Sequence, residues 1–152
     1  MEANSSDVEV LGPWAWKLMG NSTWVSEGRT AIGGVDEDGT PLWAVIYDHY
    51  EKGGSIQVHI AIDNPKHVTR RAIEHVFEYP FCQLGVKKVL GIVNSQNHRA
   101  LTFDLRLGFQ IEHIVKDAYD RGDMYILSMT QEQCRWLRGK DYGLSNYSSA
   151  AA

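Results

Sequence analysis

Three short stretches of this 152-residue chain carry residue types fit for chemistry. In Ser55-Ile-Gln-Val-His-Ile-Ala-Ile62, Ile56, Val58, Ile60 and Ile62 alternate with Gln57, His59 and Ala61. That period of two predicts a strand, with His59 on its less apolar face. An imidazole there can change charge near neutral pH, or serve as a half-buried structural group bonded to a neighbour. In Thr69-Arg-Arg-Ala72, two arginines fill the first turn of a helix, where the helix dipole favours acids. Either they solvate an outer face, or Arg70 and Arg71 attend an anion drawn to the unpaired N–H groups of that N-terminus. In Asn97-His-Arg-Ala-Leu-Thr-Phe-Asp104, a carboxylate sits inside a helical run. An ionised aspartate is a poor acid, so Asp104 reads as a solvent-facing residue near Arg99 or Arg106. His67, His75, His98 and His113 do not make a spaced cluster with carboxylates or cysteines, and no metal is inferred.

The elements that must position these residues follow from pattern and turn chemistry. Trp14, Trp16 and Trp24 crowd one short segment with room for one helix ending at Gly20-Asn21, read as core packing or as a contact surface for a protein partner or a second copy. Residues 30–35 and 41–47 form a hairpin around the turn Asp36-Glu-Asp-Gly39, and residues 55–62 follow as a third strand. Thr69 caps a helix over 70–79 with Ile73, Val76 and Phe77 on one face. Pro80 ends or kinks it, and Gly85 closes the apolar run. A strand at 87–93, a helix at 98–107 stopped by Gly108, strands at 109–119 and 124–129, and a short helix at 131–137 complete the order. Strand–helix–strand from 55 to 93 implies parallel neighbours within an otherwise antiparallel sheet. The class is α/β, mixed, with α+β character, in one domain over 1–152 with polar tails at 1–7 and 145–152.

Bulk composition narrows the function. Net charge is −4 with a pI near 5.8, the wrong sign for general nucleic-acid binding. Two cysteines, Cys82 and Cys134, are too few for a disulfide scaffold and read as reduced and buried. The N-terminus lacks a signal-peptide pattern, and no apolar run approaches membrane-spanning length, so the expected location is the cytoplasm.

The element order, together with Asn97-x-x-Ala100 followed by Leu107-Gly108-Phe109, resembles the GNAT superfamily of N-acetyltransferases. The strand–loop–helix passage from Ile56 to Arg71, and Leu84-Gly85 leading through Lys88-Val89 into a strand, support the match over residues 30–129. Tyr79-Pro-Phe81 and Gln83-Leu-Gly85 look like bacteriophage-carried members, which would add a host cytoplasm or a virion as locations. The resemblance implies a central mixed sheet splayed between two parallel strands, with helices on both faces. It implies acetyl-CoA bound by backbone at Ile60, Ala61 and Ile62, by the loop and helix start His67, Val68, Thr69, Arg70, Arg71 and Ala72, and near Asn97, Arg99 and Ala100. The family's pyrophosphate loop, Gln/Arg-x-x-Gly-x-Gly/Ala, falls on His67, Arg70 and Ala72, and only Ala72 matches. The family's tyrosine acid falls on Asp104. His59 is then the candidate base, with Asp48, His49 and Glu51 in reserve. The expected activity is acetyl transfer from acetyl-CoA to an amine of a small molecule or protein by direct attack. The alternative is a catalytically silent copy of the fold, serving as a phage structural component or a host-protein-binding module.

Overall fold

The computed structural model describes residues 3–21 and 23–137. The tail expected at 145–152 lies outside them, as do Met1 and Glu2. Seven strands form one mixed sheet in the order β1-β2-β3-β4-β5-β7-β6. They are β1 (Ala3–Ser5), β2 (Thr30–Val35), β3 (Pro41–Asp48), β4 (Ser55–Ile62), β5 (Lys88–Asn94), β6 (Gln110–Tyr119) and β7 (Gly122–Thr130). The helices are α1 (Val8–Leu18), α2 (Arg70–Glu78) and α3 (His98–Leu107). β4 and β5, joined through α2, pair in parallel, with Ser55, Ile56 and Gln57 opposite Lys88, Val89 and Leu90. Among the described residues, no helix is long and apolar enough to cross a membrane.

Two compact units divide the chain. The first comprises Met1–Tyr50 and Val58–Val76, the second Glu51–Gln57 and Phe77–Ala152. In the first unit, Leu11 and Ala15 of α1 are fully buried with Ala31, Ala44, Ile46 and Ala61. Trp14, Trp16 and Trp24 pack on that cluster, which realises the core-packing reading of the tryptophan-rich segment. Gly12 is required there: a Cβ at this position would run into the Trp24 indole. The Tyr47 hydroxyl donates to the Val76 carbonyl at 2.6 Å inside the core, so its polar end is not left unsatisfied.

Several boundaries differ from the sequence pattern. The helix expected near 13–20 begins at Val8, because the Asp7 carboxylate accepts the Glu9 N–H at 3.0 Å and caps it. Pro13 is therefore inside α1 and not at its start. The expected N-terminal tail is partly a strand, since Ala3–Ser5 pair antiparallel with Val35–Gly33.

In the second unit, the Phe77 ring lies 6.5 Å from Phe81 and 6.2 Å from Phe109, and Val89, Leu127 and Met129 are fully buried. Pro80 does not end the helical path. The chain widens into a single π turn over Tyr79–Gln83, which absorbs the missing N–H, before Gly85 adopts φ +70. Cys82 and Cys134 are free and buried, and burial pushes both thiols up to about 11. The helix expected at 131–137 is turns and a short 3-10 stretch over Arg135–Leu137.

Candidate functional site

A polar cluster of the first unit forms at the end of β3. Asp48 is its last residue and is 4% exposed. Its Oδ1 takes His59 Nε2 at 2.8 Å and His49 Nδ1 at 2.9 Å, and its Oδ2 takes Arg29 Nε at 3.2 Å. Burial alone would push this carboxyl up. The hydrogen bonds from His59, His49 and Arg29 outweigh it and hold Asp48 well below the usual carboxylate range. Asp48 is therefore an ionised, acceptor-only group whose desolvation is offset by three donors.

Each partner is itself positioned. His59 projects from β4, its side chain one-quarter exposed, with the Trp16 ring edge-on at 5.4 Å. Arg29 lies over Trp16 at 4.3 Å and Trp24 at 5.2 Å, and its Nη1 donates to the Val25 carbonyl at 2.7 Å. Such cation–aromatic contacts are each worth about 1 kcal/mol when partly desolvated. Trp24 is fixed in turn by its Nε1–H, which donates to Ser26 Oγ at 2.7 Å. His49 follows the strand with φ +50, a left-handed backbone that few non-glycine residues adopt. Successive strand side chains point to opposite faces, so this twist is what lets neighbouring Asp48 and His49 meet. The result is an imidazole held by a carboxylate, the arrangement that fixes a general base in one tautomer.

Sequence reasoning selected His59 and held Asp48 and His49 in reserve, and the fold brings all three together. Glu51 belongs to the other unit. Arg29 and Trp16 were missed as site residues. Arg29 follows a turn and precedes β2, and no spacing rule connects it to Asp48 nineteen residues on. Along β4, Ile56 and Val58 are buried as the alternation requires, but Ala61 is buried as well while Ile60 and Ile62 are half-buried.

At the start of α2, Thr69 Oγ1 accepts the Ala72 N–H at 3.1 Å, the capping role expected of it. Arg70 Nε lies 3.4 Å and Arg71 Nη1 3.8 Å from Glu74, whose carboxylate is buried while both guanidinium groups are largely exposed. The two arginines thus have an internal anion one turn away. Half-buried His67 carries a buried Nδ1 with no hydrogen-bond partner among the described residues. Val68 is half-buried beside it.

In the second unit, Asn97 caps α3, its Oδ1 accepting the Ala100 N–H at 3.2 Å. That bond explains the Asn-x-x-Ala spacing as cap to third helical residue. Arg99 is exposed. Asp104 is not solvent-facing as its surroundings in sequence suggest. It is 9% exposed on the inner face of α3, and no hydrogen-bond or ion-pair partner reaches its carboxyl among the described residues. Burial pushes it up to about 7, so it can donate a proton near neutrality, which an ordinary aspartate cannot. Among the described residues, no group of three or more His, Cys, Asp or Glu is arranged to hold a metal.

Solved structures match this architecture over most of its length. One is a variant of the spermidine N-acetyltransferase SpeG from Vibrio cholerae, with TM-score 0.70, 15% identity, and 90% of this chain and 96% of that one covered. The fold is that of the GNAT acetyltransferases. A second set of variants of the same spermidine/spermine enzyme gives TM-score 0.68 at 15% identity, covering 88% and 96%. The form solved with manganese ions gives 0.64 at 16%, covering 87% and 94%. None of these three is a bacteriophage protein. No protein-family model and no curated protein matches the chain.

Proposed function

We propose that this chain is an N-acetyltransferase that moves the acetyl group of acetyl-CoA onto an amine of a small molecule or protein in the cytoplasm. The carrying observation is the Asp48–His59 pair at 2.8 Å, within a fold shared with enzymes that acetylate amines. Because ionised Asp48 can only accept, His59 must present Nε2–H to it. Its Nδ1 lone pair is then free to take a proton from an attacking amine.

The start of α2 suits a polyanionic co-substrate. It joins a helix N-terminus, the Arg70 and Arg71 guanidinium groups, and the orphaned His67 Nδ1. His67, Val68, Thr69, Arg70, Arg71 and Ala72 would hold the phosphates of acetyl-CoA, and the β4 backbone at Ile60, Ala61 and Ile62 its thioester end. Acetyl-CoA supplies the activated acyl group. The protein's share is to orient the amine, hold the base in one tautomer, and accept the proton as nitrogen attacks.

The test is thiol release by the full chain with acetyl-CoA and a panel of amines that includes spermidine. Turnover that His59→Gln lowers by about 10²-fold or more supports the reading, since a positioned base contributes that much. Absence of heat on calorimetric titration with millimolar acetyl-CoA would refute it and leave a silent binding module.

A further inference from the structure

Acetylation of an ammonium must shed two protons. R–NH3+ loses one to become a nucleophile. As the N–C bond forms and the C–S bond breaks, the attacking nitrogen loses a second, and the departing thiolate ends as a thiol. One base accounts for one of these. The cluster on Asp48 holds two imidazoles on the same oxygen, His59 at 2.8 Å and His49 at 2.9 Å.

Their tautomers follow from their partner. An ionised carboxylate accepts only, so each ring must turn an N–H to Oδ1: Nε2–H from His59, Nδ1–H from His49. Each neutral ring then carries its lone pair on the far nitrogen, Nδ1 of His59 and Nε2 of His49. The rings differ in access. His59 is one-quarter exposed, while His49 is two-thirds exposed, at 66%. His49 also has a left-handed backbone at φ +50, and strain of that kind gathers at functional positions. Asp48 bonds both rings, and Arg29 reaches the pair only through its own bond to Asp48 Oδ2.

Resting on the acetyltransferase reading, we propose that His49 is the second base of this site. It takes the first proton from an incoming ammonium at Nε2 and loses it to water. His59 then takes the second proton from the attacking nitrogen as the N–C bond forms, and gives it to the thiolate released when the C–S bond breaks, which leaves as the thiol. Asp48 is the positioning residue for both.

Steady-state kinetics of wild type, His49→Gln and His59→Gln across pH separate the roles. If His49 strips the ammonium, its loss leaves an enzyme that uses only amine already neutral in solution. The ratio of variant to wild-type KM then grows about tenfold for each pH unit below the acceptor's own pKa, and falls to about one with a weakly basic acceptor such as aniline. His59→Gln instead lowers kcat with every acceptor. Activity retained in His59→Gln would overturn His59 as the base and this inference with it, whereas a wild type without turnover would overturn the underlying function. Loss in His59→Gln with a pH-independent or absent defect in His49→Gln would overturn this inference alone. Nitrogen-15 spectra of histidine-labelled wild type give a reading free of activity. They should show His49 protonated at Nδ1 and His59 at Nε2, and the opposite tautomer at His49 would overturn the assignment.

Discussion

Replacing Asp104 by Asn should stabilise the protein, increasingly so as pH rises to neutrality. The carboxyl is 9% exposed and keeps its proton to about pH 7 in the folded chain. An unfolded aspartate gives its proton up near 3.9. Between those values the folded state binds a proton that the unfolded state has released, so stability falls as pH rises, from about pH 4 to about pH 7, and levels off above. From about pH 5 to about pH 7 the loss is on the order of 2 kcal/mol, and above pH 7 the full cost approaches about 4 kcal/mol. Asparagine has nearly the shape and polarity of the protonated acid but cannot ionise. The variant should match wild type at about pH 4 and exceed it by several kcal/mol at about pH 8, a melting difference on the order of 10 °C for a chain of this size. Urea unfolding of both proteins across that range, at constant ionic strength, checks it. Parallel stability curves would show that the carboxyl is not desolvated as the structure has it, and the reasoning would fail.

Asp48 obeys the opposite sign. Its folded pKa is depressed, so its contribution is present above about pH 4 and is lost as pH falls towards the folded value. Asp48→Asn should cost about 3 kcal/mol at neutral pH by stranding Arg29, and should flatten acid unfolding monitored by circular dichroism. Gly12→Ala should cost about 1 to 3 kcal/mol by forcing the Trp24 indole aside, seen as a lower urea midpoint with an unchanged slope. Asn97→Ala should cost about 1 kcal/mol through loss of the α3 cap, with faster amide exchange at Ala100.

Most of the fold was legible because its signals are local. Alternation marked β4, a threonine cap marked α2, and Asn97 and Gly108 bounded α3. The start of α1 was not, because the apolar pattern around three tryptophans drew attention from the Asp7 cap. Asp104 was misplaced although its position was readable. Ala100, Asp104 and Leu107 fall at i, i+4 and i+7, one face of a helix, and the carboxylate's type outweighed its register. The candidate site divides the same way. His59 could be chosen from strand alternation. Arg29 and Trp16 could not, because their contacts to Asp48 and His59 depend on tertiary packing and a cation–aromatic stack that no spacing rule encodes.

The edge of Trp16 against His59 makes the proposed site its own optical probe. A protonated imidazole quenches an excited indole it touches, and a neutral one does so weakly. Of the five tryptophans in the chain, Trp16 is the one whose ring meets a histidine among the described residues. Emission compared between wild type and Trp16→Phe therefore isolates a signal from this corner of the molecule. It would follow the charge on His59 in unlabelled protein, in real time, as a proton arrives and departs.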